Sequence, residues 1–258
     1  MIASLAVGIT FLYASYLDIK ERRVPFRTWY PMLAVAVPMA AWTYISMLGG
    51  DLRVASGYIL LVVVFCLLFY VSSAYFHLFG GADAWALIFL TVCIPLYPLE
   101  PYLGYPAIAF FPLTVLLNAV ILNLAAPVGI LCMNIARGNK APLRYMLVGF
   151  PVDGSRIQDS FGFVMEEFEE QDGRLIRHYI SFTDAIRRMF AGERRMYTQD
   201  LKRDPEDYRE ELSLYRKAGT VWISYGVPFI VPITAGLVTA IFAGDIFFGI
   251  IGIIMGVI

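Results

Sequence analysis

Apolar residues occupy this chain in long unbroken blocks, not in the narrow stripe of a helix with one wet face. Six blocks, at 1–17, 29–48, 57–79, 84–99, 106–135 and 221–243, approach the roughly 20 residues that a helix needs to cross a bilayer, within a range of about 17–25. The first and fourth are short and are expected to stop at head-group level on one side. The fifth is long enough to tilt, with Pro112 and Pro127 as kink points. A last stretch, 246–258, is too short to span and is expected to extend the sixth helix or lie in the interface. No basic segment precedes the first block and no A-x-A cleavage site follows it, so it reads as a retained span and not a signal peptide.

Between the fifth and sixth blocks the pattern changes. Residues 145–152 read as a strand, and 161–170 and 175–181 flank Asp172-Gly173, a hairpin turn signal. A short helix is expected at 183–190. Asp204-Pro205-Glu206-Asp207 reads as a second helix start, with an Asp cap, a Pro at the first position and acids facing the dipole. Tyr208, Leu212 and Tyr215 then share one face of that helix, which ends near Gly219. The predicted fold is an all-α polytopic membrane protein: six transmembrane helices with a small cytosolic α+β domain inserted before the last. Residues 1–136 carry helices one to five, 137–220 the cytosolic domain, and 221–258 the sixth helix and apolar tail. No internal repeat or low-complexity segment is visible.

Composition agrees. The 258 residues are 59% hydrophobic and only 16% charged, where a soluble domain is about half apolar and about a quarter charged. The lipid bilayer is therefore the first partner. Lys20, Arg22, Arg23 and Arg27 lie in the first loop, Arg53 alone in the second, and every other Lys and Arg between the fifth and sixth blocks. The positive-inside rule puts loops one, three and five in the cytosol and the N-terminus outside. The net charge of −1 hides no basic stripe with interleaved aromatics, so nucleic acid is not a partner. Cys66, Cys93 and Cys132 sit singly in apolar runs, without a CxxC pair, and read as buried packing residues. His77 and His178 are the only histidines, and neither HExxH nor GxSxG occurs, so no metal and no cofactor are expected. Nothing sets the oligomeric state.

Three carboxylates lie in or against apolar runs without an immediate charged partner: Asp18, Asp83 and Asp245. Unpaired charge at a bilayer is expensive and marks function by default. With the inferred topology, Asp18 ends the first span and Asp83 starts the fourth on the same cytosolic side, whereas Asp245 falls at the outer face. Two carboxylates in one site cannot both ionise cheaply, so one keeps its proton while the other takes a proton from water, which is the chemistry of an aspartyl peptidase. The pair would titrate as a unit. Plainer readings exist: Asp18 as a helix-end partner of Lys20 or Arg22, Asp83 as an N-cap, Asp245 as an interfacial residue. Gly80 and Gly81 leave open backbone beside Asp83 for an extended substrate, or simply build a tight loop. His77 is a candidate neighbour of Asp83 or an interfacial residue. Asn118 and Asn123 read as interhelical hydrogen-bonding residues. Pro228 and Pro232 break or kink the start of the sixth span, which would free carbonyls for a substrate strand or serve packing alone.

Tyr16-Leu17-Asp18-Ile19-Lys20 with Arg22-Arg23-Val24-Pro25 resembles the first active-site segment of type IV prepilin peptidases and archaeal preflagellin peptidases. Gly80-Gly81-Ala82-Asp83 resembles their second, the Gly-x-Gly-Asp motif shared with presenilin-like proteases, with Ala82 in place of the second glycine. Trp222-Ile223-Ser224 and Pro228-Phe229-Ile230-Val231-Pro232 look like the last span of the archaeal branch. Trp85 stands where many relatives have Lys, and the four-cysteine insert of bacterial methylating members is missing. The resemblance implies Asp18 and Asp83 as the catalytic pair, with Gly80, Gly81, Ala82, Pro228 and Pro232 as motif or substrate-positioning residues. It implies a precursor protein as partner: archaellins or pilin-like subunits with class III signal peptides, cut at the cytosolic face between a basic leader and a hydrophobic segment. The acidic run Glu166, Glu167, Glu169, Glu170 and Asp172 would then either attract that leader or form a solvated hairpin tip. Two alternatives remain: a presenilin-like protease cutting inside a substrate helix, and a small proton-coupled transporter.

Overall fold

The computed structural model describes all residues except 77–79, 107, 172–173, 182, 185–186, 188–195, 226–227 and 257–258. Helices α1 (Ile2–Glu21), α2 (Tyr30–Leu48), α3 (Leu52–Ala74), α4 (Gly81–Cys93), α5 (Phe111–Asn123) and α6 (Ala125–Ala136) come first, with a 3-10 turn at Phe26–Trp29. Then follow α7 (Leu143–Met146), β1 (Gly149–Asp153), β2 (Gly162–Val164), β3 (Glu166–Gln171), β4 (Arg174–Tyr179), α8 (Thr198–Arg203), α9 (Arg209–Ala218) and β5 (Thr220–Tyr225). The chain closes with α10 (Ile230–Phe242) and α11 (Ile246–Met255). Two compact units result: Met1–Leu124 with Pro228–Ile258, and Ala125–Val227.

The protein is mostly helical and multi-pass, but among the described residues fewer helices qualify as spans than the six expected. Ile2–Glu21, Phe26–Leu48, Leu52–Ala74 and Phe111–Ala136 are long and apolar enough to cross, and α10 with α11 makes a fifth only if that pair, bent by 56°, counts as one. Helix α4 has 13 residues. At 1.5 Å per residue it reaches about 20 Å, short of a hydrocarbon core of about 30 Å. Residues 221–225, expected to open the sixth span, instead form a strand, because alternate positions Val221 and Ile223 are fully buried in the small unit. The fifth block breaks at Leu124, between α5 and α6. Pro127 explains the break, since it carries no N–H for the carbonyl four residues earlier.

Helix α4 is the centre of the larger unit and touches α1, α2, α3, α5 and α10. Ala84, Ala86, Leu87, Leu90 and Cys93 are all buried. Asp51 caps α3 through the N–H groups of Arg53 and Val54. Helices α5 and α10 pack closely because Gly236 has no side chain: a Cβ there would meet the Val115 carbonyl at 2.5 Å and the Ala119 nitrogen at 2.7 Å. Asn118 ties the far end of α10, its Nδ2 donating to Gly244 O at 2.8 Å while its Oδ1 accepts the Ile246 N–H at 2.9 Å. Asn123 forms no such bridge, and its Oδ1 is buried without a hydrogen-bond partner among the described residues. Asp245 is buried, caps α11 through the Phe248 N–H, and accepts a bond from the Thr114 hydroxyl.

In the smaller unit β5 lies between β1 and β2, antiparallel to both, and β3 pairs with β4 from Glu166↔Tyr179 to Gln171↔Arg174. The expected turn at Asp172-Gly173 and most of the expected helix at 183–190 lie outside the described residues. The second helix begins later than expected. Asp204 is held by the Arg203 guanidinium at 2.8 Å and ends α8, so the Pro205 stretch forms a turn and α9 starts at Arg209. Leu212 and Tyr215 do share its buried face, and Gly219 ends it at φ 73°.

The acidic run is not one surface. Glu166 is buried and accepts the Trp222 N–H at 2.7 Å, with the Arg177 guanidinium 3.5 Å away. Glu170 pairs with Lys217.

Candidate active site

Asp83 owes its position to the start of α4. Gly80, in extended backbone at φ −60° and ψ 142°, is the N-cap, and Asp83 lies in the first turn. It is therefore not the cap itself: its carboxylate reaches back to the Gly80 N–H, the reciprocal half of a capping box. A Cβ on Gly80 would come within 2.8 Å of Asp83 Oδ2, whereas one on Gly81 would meet nothing within 4 Å. Of the motif's glycines, the first is thus the one where a Cβ would press on the Asp83 carboxylate.

Asp18 lies in the last turn of α1. The helix stops because Arg22 takes the left-handed conformation at φ 52° and returns its N–H to the Asp18 carbonyl at 3.1 Å. It is the only non-glycine residue with positive φ among those described, and this conformation is unfavourable for a residue with a Cβ. A carboxylate at a helix C-terminus is also disfavoured by the helix dipole. The compensation comes from elsewhere: the Asp18 carboxyl faces the backbone of Ile230 and the Arg22 guanidinium. Ile230 opens α10, where N–H groups have no intrahelical acceptor. Each aspartate is thus set against the N-terminus of a helix, Asp83 on its own and Asp18 on another.

Both line one cleft of about 540 Å³, bounded by Asp18 and residues 22–25 on one side and by 80–83 on the other. No hydrogen bond joins the two carboxyls among the described residues, and Asp18 Oδ2 is buried without a hydrogen-bond partner there. Rings hold the two segments together. Phe26 packs edge-on against Trp85 at 5.4 Å and Phe89 at 5.7 Å, and Trp29 against Phe11 at 5.6 Å. Trp85 is thus part of an aromatic cluster with Phe26 and Phe89.

The remaining expected site residues are placed apart from the cleft lining. Pro232 falls in the first turn of α10, where a missing N–H costs no helical bond. The Pro228 carbonyl accepts the Val231 N–H at 3.1 Å, and the Ile230 carbonyl is taken by Thr234. Asp245 serves α11 as described. His77 lies outside the described residues. Among the described residues no three His, Cys, Asp or Glu side chains gather into a metal-holding group.

A family model described as "Type IV leader peptidase family" matches residues 5–128, and one described as "Archaeal Peptidase A24 C-terminus Type II" matches residues 141–246. The chain belongs to the type IV leader peptidase family. Both cleft segments fall within the match to the family's first model, and the protein is a peptidase. A preflagellin peptidase of Methanococcus voltae is 26% identical over 256 residues, covering 93% of this chain and 94% of its own length. A preflagellin peptidase of Methanocaldococcus jannaschii is 24% identical over 260 residues, covering 97% of each chain.

Three features of this leader peptidase were not foreseen from sequence: the Ile230 backbone at Asp18, the Phe26–Trp85 packing, and a buried hydroxyl pair, Ser15 and Thr234. The pair alone left a trace, since two hydroxyl side chains interrupt otherwise apolar runs.

Proposed function

We propose that this protein is an aspartyl endopeptidase that removes class III, prepilin-like signal peptides from archaellin or pilin-like precursors at the cytosolic membrane face. The observation that carries the reading is the single cleft onto which Asp18 and Asp83 both open, beside the exposed backbone of Gly81. One carboxylate of the pair takes a proton from water, and the attacking oxygen adds to the scissile carbonyl. The other, protonated, gives its proton to the carbonyl oxygen. The first carboxyl then passes its proton to the amide nitrogen, and the gem-diol returns a hydroxyl proton to the second as it collapses and expels the amine. An unsatisfied buried acceptor costs about 1–3 kcal/mol, and Asp18 Oδ2 is one, which is in keeping with a group that chemistry requires. Gly80, Gly81 and Ala82 leave room for an extended substrate, and Pro228 and Pro232 fix the approach to α10.

The topology belongs to the same proposal. Helix α4, with the segment after it, makes a sixth crossing; the N-terminus is outside; the cleft and the smaller unit face the cytosol, where Lys20, Arg22, Arg23 and Arg27 lie. The names of the two relatives support a preflagellin-type precursor as substrate.

The test is cleavage, in detergent, of a precursor carrying a basic leader and a hydrophobic segment, with the cut mapped by mass spectrometry. The wild type is expected to cut before the hydrophobic segment, and Asp18→Asn and Asp83→Asn are each expected to be inactive while folded. Normal turnover by either variant would sink the mechanism. A cut inside the hydrophobic segment would transfer the protein to the presenilin-like reading.

A further inference from the structure

One turn before Asp18, a pair of hydroxyls joins α1 to α10. Ser15 Oγ and Thr234 Oγ1 are 2.7 Å apart, and both side chains are buried. Thr234 Oγ1 also lies 3.2 Å from the Phe11 carbonyl and 2.8 Å from the Ile230 carbonyl, and Ser15 Oγ lies 3.4 Å from the latter. A threonine bonding the carbonyl four residues back is ordinary in a buried helix. Thr239 does the same toward Ala235 at 2.9 Å. What sets Thr234 apart is the second helix. Its hydroxyl and that of Ser15 converge on the carbonyl of the residue whose backbone faces the Asp18 carboxyl.

The spacing makes the consequence specific. Ser15 and Asp18 are three apart on α1 and Ile230 and Thr234 four apart on α10, so each pair shares one helix face. Ile230 is held at both ends: its carbonyl accepts from one hydroxyl of the pair, the other's single proton being used in the bond between them, and its N–H side lies against Asp18. The surrounding Phe11, Ile230 and Ile233 are apolar and fully buried. A slide of α10 along α1 would break the bond between the hydroxyls and leave Thr234 only its back-bond to Ile230, and buried polar groups are costly to leave unsatisfied.

We propose that Ser15 and Thr234 are positioning residues for the peptidase reaction: their hydrogen-bonded pair sets the register of α10 against α1, so that the N-terminus of α10 holds the Asp18 carboxyl in its reactive orientation. This rests on the aspartyl-dyad reading. The pair touches neither substrate nor the scissile bond and acts through Ile230 alone.

The test is steady-state cleavage of the precursor by the full chain, with Asp18→Asn as reference. Ser15→Ala and Thr234→Val each remove the tie and are expected to lower kcat about tenfold to a hundredfold with KM little changed, the scale of a reactive group displaced by about 1 Å. The double variant loses no more than either single one, because the two act as a unit. Ser15→Thr and Thr234→Ser keep the hydroxyls and retain kcat. Thr239→Val removes an ordinary back-bond on the same helix and is expected to be neutral. Wild-type kcat in Ser15→Ala and Thr234→Val, beside an inactive Asp18→Asn, would overturn the positioning role alone. So would an equal loss in Thr239→Val. An active Asp18→Asn would overturn the dyad reading, and this role with it.

Discussion

Gly80 stands so close to the Asp83 carboxylate that a methyl group on it would come within 2.8 Å of Oδ2. The obstructing atom is the end of a side chain, so Gly80→Ala is expected to fold and to push the carboxylate aside. Turnover should drop about tenfold to a hundredfold, with little change in thermal stability. Gly81→Ala, with open space around it, leaves the Asp83 carboxylate in place and should cost less, acting only on the substrate's approach. Equal activity in the two variants would show that the motif does not fix Asp83 in this way.

Asp245 separates from the two cleft aspartates by its bonds. It caps α11 and meets Thr114, and loss of a cap costs typically about 1 kcal/mol. Asp245→Ala is expected to lower the unfolding temperature while leaving activity per folded molecule intact. Abolished cleavage at unchanged stability would assign this carboxylate to the reaction.

Gly236 tests the closeness of α5 and α10. An added Cβ would run into backbone atoms of Val115 and Ala119, which cannot rotate away. Gly236→Ala should destabilise the protein by about 1–3 kcal/mol, as overpacking does. Gly8→Ala meets nothing within 4 Å and is the matched control. Unfolding temperatures of the two in detergent decide the point, and equal values would mean that the helices have room to separate.

Glu166 gives the smaller unit a pH dependence of definite sign. Burial pushes its carboxyl above the ordinary value of 4.5, against the opposing pull of the Trp222 N–H and the Arg177 guanidinium. The folded chain therefore holds this proton more tightly than the unfolded chain. Its contribution to stability is full below 4.5 and is lost as pH rises through the folded value. Asp153 works in the opposite sense, held low by the hydroxyl and N–H of Ser155, and loses its contribution only as pH falls through its own depressed value. Glu166→Gln keeps an acceptor for Trp222 and should flatten the fall in unfolding temperature between 4.5 and neutrality. Parallel pH curves for the two proteins would remove Glu166 as its source.

Much of this molecule could be read from the order of its residues. Apolar runs do not depend on their neighbours to be recognised as membrane-seeking, and the Asp172-Gly173 turn signal marked the segments that pair as β3 and β4. Glu166 shows the limit. In sequence it is one of four similar glutamates, yet its side chain points into the smaller unit while Glu167, Glu169 and Glu170 are exposed. The strand at 220–225 was hidden for a related reason: a fully buried central strand has the same apolar composition as a membrane helix.

The cleft divides in the same way. Sequence alone determined that two aspartates, one ending the first apolar run and one opening the fourth, stand where charge is expensive. It also determined that glycines precede the second. Only the tertiary structure decided that a Cβ on Gly80 and not on Gly81 would meet the Asp83 carboxylate, and that Asp18 faces the start of α10, where two hydroxyls 219 residues apart in the chain meet. The physical reason is range. Transfer into lipid depends on a residue and its near neighbours, and so leaves a local mark. A carboxylate's hydrogen-bond donors and a glycine's free space depend on which backbones come within about 3 Å of each other, and that is set only when the helices pack.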